Sequence, residues 1–73
     1  MQRKHQETVE RLHAEWTEVH DRLRTYERLL SEAIALYARG GPKPEGMIAE
    51  VEQMRMDCAE RFKALMDAVK ALG

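Results

Sequence analysis

Residues 36–47, LYARGGPKPEGM, decide the fold, because nowhere else in the chain does the sequence stop reading as helix. Gly40 is free to take the left-handed conformation that closes a helix, and Gly41 follows it. Pro42 and Pro44 lack the N–H that would carry the first helix onward. Arg39 brings a cation to the negative end of the preceding helix. Pro44 suits the first turn of the following one, where Glu45 meets the positive end. Lys43 precedes a proline and is biased to extended backbone. A connection this short and stiff makes the segments on either side antiparallel neighbours.

Outward from the turn, both arms carry a helical stripe. In the first, Val9, Leu12, Trp16, Val19, Leu23, Tyr26, Leu30, Ala33 and Tyr37 recur at steps of three and four, the pattern of a helix packed lengthwise on another. Between them, Glu7 and Arg11, Glu18 and Arg22, and Arg28 and Glu32 are spaced for pairing one turn apart. The second arm reads Ile48, Val51, Arg55, Cys58, Phe62, Leu65, Val69 and Leu72, broken once by Arg55 and widened by Met47, Met54, Ala59, Met66 and Ala68. Asp57 with Arg61 and Lys63 with Asp67 repeat the one-turn charge spacing. The expectation is a single all-α domain over residues 1–73: helix 1 about 2–39, a turn at 40–44, and helix 2 about 45–72.

Centring the turn on Pro42 registers the arms. It sets Trp16 near Ala68 and Val69, Leu23 near Arg61 and Phe62, and Tyr26 near Cys58, with about ten polar N-terminal residues overhanging. Arg55 then either pairs across the helices with Glu27 or Glu32, or lays its stem on the seam and reaches water. The second is preferred.

Composition narrows the function. Seventy-three residues bury only a modest core. Twelve Lys and Arg against thirteen Asp and Glu leave a net charge of -1 with the signs interleaved, so no strong field draws the chain to nucleic acid or anionic lipid. The basic residues Arg3, Lys4, Arg11, Arg22, Arg24 and Arg28 are spread among acids around helix 1, which weakens a nucleic-acid stripe. The one cysteine has no internal disulfide partner, and no apolar run is long enough for a signal peptide or a membrane span. A cytoplasmic location is expected.

Chemistry finds little to use. Glu10 and His13 form a Glu-x-x-His pair, the spacing of di-metal helical bundles, but they lie off the seam, and helix 2 has no second such pair or inward acid. His13 and His20 share a face beside the seam and read as ordinary surface or interface histidines. Cys58 falls on the stripe with no His or Lys at catalytic spacing and reads as a small core residue. GGPKPEG lacks the Lys-Ser or Lys-Thr and the preceding strand of a phosphate loop. No catalytic residue, metal or cofactor is expected, and the chain is not expected to be an enzyme.

The plan, two helices and a glycine-bearing turn, is similar to the plasmid copy-number protein Rop, a homodimeric bundle that binds paired RNA loops. That likeness is architectural and carries no residue motif. The stretch ARGGPKPEGMIAEVEQM, followed by an alanine-bearing apolar helix, resembles the small hairpin co-chaperones of type III secretion needle subunits, which also have an Arg-Gly turn, a proline and a Glu opening helix 2. The first resemblance implies an RNA-binding dimer and the second a chaperone taking a helix of another protein.

Two helices cover only one stripe of each other, and here Leu29, Ile34, Leu36, Met47 and Met54 lie outside the stripe near the turn. An apolar patch of that kind marks a binding surface. The expected function is therefore protein binding by an antiparallel helical hairpin, first of all to a second copy, giving a four-helix bundle. The expected interaction surface is Trp16, Leu23, Leu30, Ile34, Tyr37, Met47, Met54, Phe62 and Leu65. The alternative partner is a helix of another protein lying in an apolar groove.

Overall fold

A computed structural model describes residues 2–72. The chain is all-α: α1 spans Gln2–Ala38 and α2 spans Glu45–Leu72, with no strand among the described residues. The helices pack side by side as an antiparallel hairpin, a rod of 59 × 16 × 14 Å.

The turn closes α1 with a two-glycine motif. The Gly41 N–H donates to the Leu36 carbonyl at 2.9 Å and the Gly40 N–H donates to the Tyr37 carbonyl at 3.0 Å. This crossed pair is the Schellman arrangement, which satisfies carbonyls that the helix end leaves unpaired. It requires the left-handed φ of 97° that Gly40 adopts. Gly41 is needed for a different reason: a Cβ there would stand 2.9 Å from the Leu36 carbonyl oxygen. On the other side, the Glu45 N–H donates to the Lys43 carbonyl at 2.9 Å, and the Ile48 N–H reaches Pro44 at 3.0 Å in the first helical bond of α2. Proline costs nothing at that position because no bond to its nitrogen is called for.

Between the helices, Leu23, Val51 and Cys58 form a buried cluster, with Trp16, Val19, Tyr26, Leu30 and Met54 packed around it. Leu65 is buried nearer the open end. Those four are the buried hydrophobic side chains among the described residues, and Val51, at 2% exposure, is the most enclosed.

Tyr26 packs on the cluster that holds Cys58, and Leu23 and Phe62 line one groove, as a hairpin centred on Pro42 places them, but at Trp16 the register differs. Trp16 meets Phe62, with ring centroids 5.5 Å apart, rather than Ala68 and Val69. The cause lies in the turn, which folds Gly41 back against the last turn of α1 before α2 begins. Counting along both helices from the Trp16–Phe62 contact places Glu45 about level with Ala33. The end of α1 therefore projects past the start of α2, and Ile34, Leu36 and Tyr37 lie exposed there. Nor does a long N-terminal segment hang free, since His5 Nε2 donates to the Ala68 carbonyl at 2.7 Å.

Candidate interaction surface

The hairpin has two long sides of different character. On one, Trp16, Leu23, Cys58, Ala59, Phe62 and the stem of Arg55 line a shallow, open apolar groove. Trp16 is its centre, with Phe62 across the seam and His20, from within α1, tilted against it at 4.9 Å. His13 lies 6.1 Å from the same indole. Toward the turn, Arg55 bridges the helices to Glu27, Nε at 2.9 Å and Nη2 at 2.6 Å from a single carboxylate oxygen. Arg55 thus makes the cross-helix pair in preference to an unpartnered reach for water. The geometry permits both features at once: its side chain remains 62% exposed.

The opposite side is polar at mid-height. Leu12, Glu15, Asp57, Glu60, Arg61 and Ala64 line a cleft there, in which Arg61 pairs with Asp57 at 3.4 Å. Elsewhere on the surface, Arg22 pairs with Glu18 at 3.1 Å and Lys63 with Asp67 at 3.6 Å. Glu7 turns back to Arg3 at 4.0 Å.

The residues expected to meet a partner divide by burial. Leu23 and Leu65 are buried inside the hairpin, Leu23 reaching only the floor of the groove. Trp16, Leu30, Met47 and Met54 are half-buried; Ile34, Tyr37 and Phe62 are exposed. Periodicity overlooked two others. Met56 is 60% exposed and lies off the seam, so a count of stripe positions passes over it. Val69 is exposed because Phe62 takes the place beside Trp16 that the symmetric register assigned to the Ala68–Val69 segment.

The other sequence candidates are placed simply. Cys58 is buried in the central cluster. Glu10 and His13 are both exposed, and no three His, Cys, Asp or Glu converge to hold a metal ion among the described residues. No described helix is long and apolar enough to cross a membrane.

The rod leaves much of itself wet. It exposes 5875 Å², against about 4,700 Å² for a compact monomer of 8.5 kDa. The excess, on the order of 1,200 Å², is larger than the roughly 800 Å² that each partner loses in an interface of ordinary size.

No protein-family model, curated protein or solved structure matches this chain. Neither the Rop-like plan nor the needle co-chaperone turn is thereby tied to a relative, and the functional reading rests on the surface itself.

Proposed function

We propose that the chain is a non-enzymatic protein-interaction module that associates with itself, two hairpins forming a four-helix bundle. One observation carries the reading: four hydrophobic side chains are buried among the described residues, while Leu29, Ile34, Leu36, Tyr37, Met56, Phe62 and Val69 remain exposed. A pair of helices has no third layer with which to cover such flanks, and a second hairpin supplies one for the flank it meets. The surface excess is of the size that such an interface removes.

A second reading draws on the open Trp16–Phe62 groove, which has the apolar lining that accepts one helix of another protein. That is the chaperone-like alternative. Light scattering after size exclusion separates the two. Self-association gives about twice the 8.5 kDa chain mass; a chain of single mass that gains helix only when a foreign helix is added supports the alternative instead.

A further inference from the structure

We infer that the second copy docks face to face on the Trp16–Phe62 side of the hairpin, in preference to the Asp57–Arg61 side or the patch at the turn. This rests on the self-association proposed above and says which surface performs it.

Desolvation separates the two long sides. A partner covering the Asp57–Arg61 cleft must strip water from Glu15, Asp57, Glu60 and Arg61 at the middle of the contact. Charges buried in that way require compensation that a second copy of the same cleft, with three acids to one base, does not supply. The Trp16–Phe62 groove holds one charged pair, Arg55 with Glu27, and its members already satisfy each other. Ala59, small and exposed at the middle of the groove, lets a second backbone approach closely.

The rims of that side are self-complementary. Helical periodicity puts Glu45 and Glu52 in one row with Ala59, at the turn end of α2, and Lys63 and Lys70 in the next row, at its open end. In α1 the sense is opposite: the row outside His13 and His20 has Glu10 toward the open end and Arg24 toward the turn. A copy laid on this face with α1 over α1 and α2 over α2, both antiparallel, brings Glu52 toward Lys63 and Glu10 toward Arg24, each pair about one helical turn out of alignment when the two-fold axis lies midway between their centres. Laid with α1 over α2, it brings Glu10 over Lys70 and Arg24 over Glu52. Acid meets base in both two-fold arrangements. Lys63, already tied to Asp67 in its own helix, contributes least.

Area agrees with the assignment. A face running the length of a 59 Å rod can supply a contact of ordinary size. The turn patch, with Leu29, Leu36 and Tyr37 at its centre, is confined to one end.

Trp16 is the chain's only tryptophan and sits in the proposed contact, so acrylamide quenching of its emission in the unmodified protein reads the face directly. Shielding at concentrations where the mass is dimeric, lost on dilution, is expected. A dimer whose Trp16 is quenched as readily as that of the monomer overturns the face assignment and leaves self-association standing. A wild-type chain that is monomeric throughout overturns both. Two variants check the result independently. Ala59→Arg is expected to weaken association by about a hundredfold, since it places an unpaired charge in the contact, while Leu36→Glu leaves the dimer intact. The reverse pattern assigns the contact to the turn patch and ends the proposal.

Discussion

Arg55 and Glu27 are the one pair that hydrogen-bonds side chain to side chain between α1 and α2 among the described residues, with two guanidinium nitrogens converging on one carboxylate oxygen at 2.9 and 2.6 Å. The pair lies at the edge of the seam, its side chains 62% and 36% exposed, and solvent there screens most of its Coulomb attraction. A double-mutant cycle with Arg55→Ala and Glu27→Ala is expected to give a coupling of about 0.5 kcal/mol, shrinking as salt is added. Denaturant titrations of the four proteins measure it, and a coupling of several kcal/mol contradicts a solvated pair.

The glycines at the turn are not equivalent to the one that follows it. Gly40→Ala forces a side chain into left-handed backbone and is expected to cost about 1 to 2 kcal/mol. Gly41→Ala also destabilises, because its methyl meets the Leu36 carbonyl, which cannot move without opening the cap. Gly46 lies in the first turn of α2 with open space around it, and Gly46→Ala is expected to stabilise by up to about 1 kcal/mol through helix propensity. Thermal melts of the three variants should move in these opposite directions.

Burial predicts unequal effects for two leucines. Leu65→Ala removes a side chain at 5% exposure and is expected to cost about 2 to 3 kcal/mol. Leu36→Ala trims a side chain that is 62% exposed and should change stability by less than about 0.5 kcal/mol. Guanidinium midpoints read the contrast, and equal losses would mean that Leu36 is covered in solution.

His5 fastens the open end of the rod by donating to the Ala68 carbonyl near the negative end of α2. Arg3 and Lys4 meanwhile sit at the positive end of α1, with no acid in its first turn to offset them. His5→Ala is expected to speed amide exchange in the first two turns of α1 and the last turn of α2, while costing less than about 1 kcal/mol globally. Unchanged exchange at both ends would remove the contact from the account.

The two-helix plan was legible because its signals are local. The alternating steps from Val9 to Tyr37 define one stripe, and Gly40, Gly41, Pro42 and Pro44 interrupt it in the order that ends one helix and starts another. The burial of Leu23 follows from that stripe, and that of Val51, Cys58 and Leu65 from its counterpart in the second arm. Register was not legible, because it depends on how far the turn folds back along α1, which a count of residues about Pro42 does not contain. The same displacement decided which side chains stay wet: it moved Phe62 to Trp16, freed Val69, and left Leu36 and Tyr37 beyond the start of α2.

Thermal unfolding measured across about a hundredfold range of chain concentration tests the central claim, that the hairpin completes its core with a second copy. Because the folded form is then an assembly, mass action requires Tm to rise steadily with concentration. A sharp, cooperative melt whose Tm is the same at every concentration would contradict it, for it would show the lone hairpin to be stable with its apolar side in water.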